Sequence, residues 1–327
     1  MPYTNEYKKV EGSPSINTEV YGANWEGRAS WNIARSDYAN EKRFSCWFVN
    51  DYLSDIKNKA CGWIDWMLTE TQGEGYTIYL DGKEKQKSLG SSAMDANRFP
   101  KLNYRIYEKA LWVPFEKRPG VALQSHWNLS GVQNMDSWSN CPYVELFING
   151  ISRGIHEPDP ATKQCTWENL IWQHGKVKAV GMDLTKKVVC SDSIETAGEP
   201  FAIILEVEKP LVTPTGKTFY CKANASDVTI VTARVVDSQG RWCPLAKNTI
   251  TFKVEGEGVY CGSSDFYITD GKPANYHAPF DKELKMEGGL RRIAIRSTFK
   301  PGTVKVQATS SGLKNGDASF TVSAVAE

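Results

Sequence analysis

Tyr143-Val144-Glu145-Leu146-Phe147-Ile148-Asn149-Gly150 is the stretch that decides the fold. Val144, Leu146 and Ile148 take every second place, and the run ends on Asn-Gly. Side chains of an extended chain point alternately to its two faces, so this spacing gives a strand with one dry face. Asn-Gly suits a two-residue hairpin, because both central positions take positive φ. The reading is a strand that buries one side and turns back at once.

Downstream the same grammar repeats. Val177-Lys178-Ala179-Val180-Gly181-Met182 alternates, and Thr196-Ala197-Gly198-Glu199-Pro200 has the composition of a linker. A second block follows, with strands predicted at 228–236, 249–254, 290–297 and 303–308 and a turn at Asp237-Ser238-Gln239-Gly240. Short strands at such spacing predict β-sandwiches. Upstream of Pro114 and Pro119-Gly120 the pattern is different. Phe44, Phe48, Tyr52 and Ile56 stand four apart, with Val49 and Leu53 on the same stripe, which predicts an amphipathic helix. Gly62-Trp63-Ile64-Asp65-Trp66 then reads as a short buried strand. Residues 69–74 read as a loop carrying Glu70 and Glu74, and a second helix is predicted over 99–111 with Pro100 in its first turn. Helix, strand, loop and helix is the rhythm of an α/β barrel or a doubly wound sheet. The expected fold class is mostly β: two Ig-like β-sandwich domains, 116–200 and 201–327, preceded by a partial (β/α) barrel remnant over 1–115.

The 327 residues allow two or three domains. A formal charge of +1 gives no electrostatic reason to expect nucleic acid or a membrane surface as partner. The first residues contain no apolar stretch of the signal-peptide kind, and no run reaches the length of a membrane span. Neither feature assigns a compartment, and a periplasmic or cell-surface parent enzyme stays open. The eight cysteines include no C-x-x-C pair and read as mostly free, buried thiols, with one or two disulfides left open. His126, His156, His174 and His277 are scattered, so no metal is expected, and no cofactor.

The stretch from Val144 to Gly150, then Trp172, Lys176-Val177-Lys178-Ala179-Val180-Gly181 and Thr196-Ala197-Gly198-Glu199-Pro200, closely resembles the sandwich that follows the barrel in glycoside hydrolase family 2, the β-galactosidase-like enzymes. Val235-Val236-Asp237-Ser238-Gln239-Gly240, Ile250-Thr251-Phe252-Lys253-Val254-Glu255-Gly256-Glu257-Gly258 and Pro301-Gly302-Thr303-Val304 resemble the terminal Ig-like domain of the same enzymes. Asn97-Arg98-Phe99-Pro100-Lys101 resembles the segment after the last barrel strand, and Ile16-Asn17-Thr18-Glu19-Val20-Tyr21-Gly22 resembles the end of the seventh. The resemblance implies that Glu19 is the catalytic nucleophile and that Trp63, Asp65 and Trp66 lie at the sugar. Two departures stand out: Val20 separates Glu19 from Tyr21, where the family has Glu-Tyr-Gly, and Asp65 stands where the family has a Trp. Either Trp63 or Trp66 could serve in its place.

A retaining glycosidase needs two carboxyl groups ~5–5.5 Å apart, one to attack and one to protonate the leaving oxygen. The resemblance puts the second on an earlier strand, yet only eighteen residues precede Glu19. A complete barrel takes about 250 residues. The expectation is therefore the C-terminal part of a retaining β-galactosidase-like hydrolase, acting on a terminal β-linked sugar and inactive as this chain alone. An upstream chain with the rest of the barrel and a jelly roll, or self-association, would complete or cover it. The reading from another class is a non-catalytic carbohydrate-binding or interaction module, with Trp112, Trp127, Trp138, Trp167, Trp172 and Trp242 as candidate stacking platforms. Burial of such rings in sandwich cores is the plainer role for most of them.

Overall fold

The computed structural model describes residues 13–14, 16–20, 62–65, 71–80 and 83–89, then residues 94–325 apart from 96, 103, 110, 112, 125, 161, 213–214, 217, 220 and 264–279. The chain is mostly β and forms two compact units, one ending at Thr196 and the other beginning at Ala197.

The first unit opens with β1 (Ile16–Val20) and β2 (Gly62–Asp65), which pair in parallel. A hairpin follows, β3 (Thr71–Leu80) with β4 (Lys83–Leu89), and then helix α1 (Tyr104–Lys109). The sandwich comprises β5 (Val121–Leu123), β6 (Val132–Ser139), β7 (Tyr143–Ile148), β8 (Ile151–His156), β9 (Gln164–Ile171), β10 (Lys176–Met182) and β11 (Val188–Glu195). One sheet runs β5-β6-β9 and the other β11-β10-β7-β8, all antiparallel. Val144, Leu146, Ile148, Val177 and Ala179 from the larger sheet pack with Val121, Leu123, Met135 and Trp167 from the smaller one.

In β7 the alternate residues are fully buried and their neighbours are not, as the sequence requires. Asn149 and Gly150 both take positive φ, 51° and 80°. The Asn149 side chain adds two bonds, accepting from the Lys176 amide at 2.8 Å and donating to the His174 carbonyl at 3.0 Å. The turn therefore fixes the start of β10 as well as the return into β8.

Two expectations fail in the front part. Residues 71–74 are not loop but the beginning of β3, so Glu74 lies in a strand; Glu70 lies outside the described residues. The missed signal is Tyr76-Thr77-Ile78-Tyr79-Leu80 followed by Asp81-Gly82, a β-prone run on a hairpin dipeptide. Among the described residues the helix predicted over 99–111 runs from Tyr104 to Lys109, and 99–102 lie outside it. Ahead of it, the Asp95 carboxylate accepts the amides of Asn97 and Phe99, each at 2.9 Å, and Pro100 bridges back to Met94. A short acid that binds nearby amides offers the backbone an alternative to helix. The helix expected around Phe44 to Leu53 lies outside the described residues. So does any closed barrel: here β1 and β2 form a two-stranded sheet.

The second unit comprises β12 (Ala202–Val207), the short pair β13 (Leu211–Val212) and β14 (Thr218–Phe219), β15 (Val228–Val236), β16 (Thr249–Gly256), β17 (Gly258–Gly262), β18 (Glu283–Lys285), β19 (Leu290–Ser297), β20 (Gly302–Thr309) and β21 (Gly316–Val322). Sheets β12-β15-β19-β17 and β18-β16-β20-β21 close over a core that includes Val231, Val235, Ile250, Phe252, Ile293, Ile295, Val304 and Val306. Asp237 follows β15 directly and organises the turn there. Its buried carboxylate accepts the amides of Gly198 at 2.7 Å, Gln239 at 2.9 Å and Arg241 at 2.9 Å, and the Arg241 Nε at 2.7 Å. Burial opposes ionisation, but these donors outweigh it and hold the acid at about 2.

The folded acid is thus stronger than the unfolded one, which titrates near ~3.9. Its contribution is full above that value and fades as pH falls towards about 2. Asp237→Asn should cost about 2 kcal/mol at neutral pH, read as a lower urea midpoint, and the gap from wild type should narrow below about pH 4.

Candidate functional site

β1 and β2 run in the same direction, so their carboxyl ends lie at one edge. Ligand sites of parallel α/β folds lie at that end of the strands. Glu19 is the penultimate residue of β1, Trp63 is the second of β2, and Asp65 is its last. Asn17 pairs with Trp63 and Val20 with Asp65. Between those pairs β1 holds two residues, Thr18 and Glu19, and β2 holds only Ile64, so the register shifts. A bulge of this kind bends the strand and often stands beside a functional group. Trp66 lies outside the described residues. The backbone therefore brings Glu19, Trp63 and Asp65 to one strand pair.

The segment that follows this pair in the chain is tied to the first sandwich at Asp192 and Asn140. Asp192, in β11, forms an ion pair with Arg105 of α1 and also accepts the Leu123 amide at 2.8 Å. Arg105 in turn reaches Glu108 at 3.2 Å. Asn140 secures the loop between α1 and β5: its Oδ1 accepts the Gly120 amide at 2.7 Å, and its Nδ2 donates to the carbonyls of Val113 and Arg118, each at 2.8 Å. The sequence marks neither residue. Arg105 and Asp192 are 87 positions apart, and Asp192 sits in an ordinary alternating strand.

The tryptophans mostly serve the core. Trp127, Trp138 and Trp167 are buried. Trp127 donates from Nε1 to the Gln173 carbonyl at 2.7 Å, and its own carbonyl accepts from Trp172 Nε1 at 3.1 Å and from the Thr196 hydroxyl at 2.8 Å. Trp242 is 38% exposed and donates to the Gly288 carbonyl; Trp112 lies outside the described residues. No pair of exposed tryptophans forms a platform among the described residues. Burial pushes His126 down to about 4, so it is neutral near pH 7. His156 stacks on Trp167 with ring centroids 4.7 Å apart. Among the described residues no three acids, cysteines or histidines gather to hold a metal, and no helix is long and apolar enough to cross a membrane.

Residues 217–319 match the Glycoside hydrolase family 2 C-terminal domain 5, and residues 133–190 match a Domain of unknown function (DUF4982). A β-glucuronidase of Formosa agariphila is 32% identical over 289 residues, 87% of this chain and 27% of its own length. The β-galactosidase BoGH2A of Bacteroides ovatus is 32% identical over 226 residues, 68% of this chain and 24% of its own. The chain thus spans about a quarter of the length of these curated relatives. Among solved structures, a β-glucuronidase from glycoside hydrolase family 2 superposes with a TM-score of 0.74 at 24% identity, covering 95% of this chain and 32% of that one. A family 2 member from Bacteroides cellulosilyticus superposes at 0.68 and 21% identity, covering 85% and 38%. Both likenesses concern the fold.

Removing the Asp192 carboxylate would leave Arg105 and the Leu123 amide without that acceptor. Asp192→Ala should cost about 1–3 kcal/mol and raise amide hydrogen exchange in Tyr104–Lys109 and at Leu123, while β15 and β19 keep their protection.

Proposed function

We propose, from the glycoside hydrolase family 2 C-terminal domain that this chain carries and its likeness to family 2 enzymes, that it is part of a retaining β-glycosidase of the β-galactosidase or β-glucuronidase sort, with Glu19 as nucleophile. The observation that carries the proposal is the parallel pairing of β1 with β2, which sets Glu19 at the carboxyl end of one strand beside Trp63 and Asp65 on the next. Adjacent parallel strands are what the seventh and eighth strands of a barrel would be. The extra residue of β1 falls between Asn17 and Val20, next to the Val20 that separates Glu19 from Tyr21. In this reading the bulge absorbs the inserted residue, so the paired ends of the two strands stay level.

Glu19 would attack the anomeric carbon of a terminal β-linked sugar and form a glycosyl ester. A second carboxyl group would protonate the leaving oxygen and then activate water. In this proposal that acid belongs to an earlier barrel strand outside these residues, Trp63 and Asp65 contact the sugar, and Trp66 is a further candidate. A nucleophile without its acid partner loses orders of magnitude in rate, so the 327 residues alone do not turn over.

Two measurements test this. The 327-residue chain should release no nitrophenol above background from aryl β-galactosides or β-glucuronides, and release at an enzyme-like rate would sink the division of labour. In a longer polypeptide that includes the earlier strands, an activated 2-fluoro β-glycoside should label Glu19, and Glu19→Gln should lower kcat about a thousandfold or more. A label on any other residue would remove Glu19 from the role.

A further inference from the structure

Two cysteines far apart in sequence meet beside β10. The Sγ atoms of Cys141 and Cys190 are 3.5 Å apart, although 49 positions separate them. Cys141 lies just before β7, and Cys190 lies in β11, the edge strand of the same sheet. Between them runs β10, where Gly181 pairs with Cys190 on one side and with Val144 on the other. A Cβ at Gly181 would lie 2.6 Å from each sulfur, so any side chain there would occupy the space in which the thiols meet. The glycine leaves a gap in β10 over which a bond can pass from β11 to the start of β7.

We propose that Cys141 and Cys190 form a disulfide across Gly181, and that this bond locks the edge strand β11 to the rest of its sheet. To bond, the two sulfurs must close from 3.5 Å to about 2.0 Å, with the backbone beside β10 adjusting to the Cα separation that a disulfide takes. The Cys141 backbone is already held, its amide donating to the Ser139 hydroxyl at 3.0 Å. The chemistry favours the same pair. The neighbouring Cys190 thiol draws Cys141 down to about 7 against the opposing effect of burial, which gives it thiolate character near neutral pH. Burial instead raises Cys165 to about 12 and Cys243 to about 11, as for inert core thiols.

The oxidant is a low-molecular-weight disulfide, RSSR. Cys141 loses its proton and attacks RSSR first as the thiolate: the RS–SR bond breaks, a mixed disulfide forms on Cys141, and the departing RS– is protonated and leaves as RSH. Cys190 then gives up its thiol proton and attacks the Cys141 sulfur, and the second RS– takes up that proton and leaves as RSH. Two protein S–H bonds are lost, one S–S bond forms, and one RSSR becomes two RSH.

The bond would act on more than its own sheet. β11 also carries Asp192, the acceptor for Arg105 and Leu123. A locked β11 holds that acceptor in place, so oxidation should slow the opening of α1 as well as raise the melting temperature.

The test is to incubate the full chain with oxidised glutathione under native conditions, alkylate the remaining thiols in denaturant, and map the peptides by mass. The expected result is one linked peptide pair, 141 with 190, lighter by two hydrogens, with Cys165 and Cys243 alkylated. Melting should rise by about 5–10 °C over the reduced chain, and Cys190→Ser should show no such rise. Alkylation of both Cys141 and Cys190 overturns the proposal, as does a link that forms only in denaturant. A linked pair without a rise in melting temperature overturns the locking role.

Discussion

The central strands of these sandwiches, β7 and β10 in the first and β15 and β19 in the second, have a face that must be kept from water, and that requirement sets the register of whatever pairs with them. A slip of one residue in β7 would carry Val144, Leu146 and Ile148 to solvent and bring Glu145 inward. The penalty for burying a carboxylate without partners is severe, so the alternative registers are empty. β10 is then fixed against β7, β11 against β10, and Asp192 falls where Arg105 can reach it. The same logic runs through β15 and β19, whose alternate residues share one core with β16 and β20.

Local signals of this kind are what a sequence displays well. Val228–Val236 and Leu290–Ser297 coincide with the strands read from their pattern, because alternation and length are both written in the residues themselves. The front part was harder, for a reason of chemistry. Residues 99–111 have the apolar spacing of a helix, but the Asp95 carboxylate captures the amides of Asn97 and Phe99, and that competition is not visible as periodicity. The hairpin of β3 and β4 is legible in Tyr76 to Leu80 and Asp81-Gly82, while residues 71–74, with their polar composition, carry no strand pattern of their own. Of the candidate site, the residue types and order of Glu19, Trp63 and Asp65 could be read through their resemblance to a family. Their parallel pairing and the extra residue in β1 are properties of two strands together, and no single stretch contains them.

Asp192, Asn140 and Asp237 do similar work in different places. Each is an acid or amide that ties separate parts of its own unit together: Asp192 accepts from α1 and β5, Asn140 accepts from Gly120 and donates to Val113 and Arg118, and Asp237 accepts from Gly198 and the turn after β15. A carboxylate or amide can satisfy several donors at once, which a single backbone carbonyl does less readily. Long connections between sheets are thereby held without additional apolar surface, and that suits a protein whose strands already use most of their apolar residues in two cores.

The Asn149-Gly150 turn has a further consequence for how this protein ages. Asparagine followed by glycine is prone to lose ammonia, because the next backbone nitrogen can attack the side-chain carbonyl and close a succinimide. That ring needs a free, rotatable amide. Here Asn149 Oδ1 accepts from Lys176 and Nδ2 donates to His174, so the side chain is held while the hairpin is intact. Spontaneous conversion to aspartate or isoaspartate at this position thus becomes a chemical clock of unfolding, slow in the native sandwich and fast in chains that have lost it.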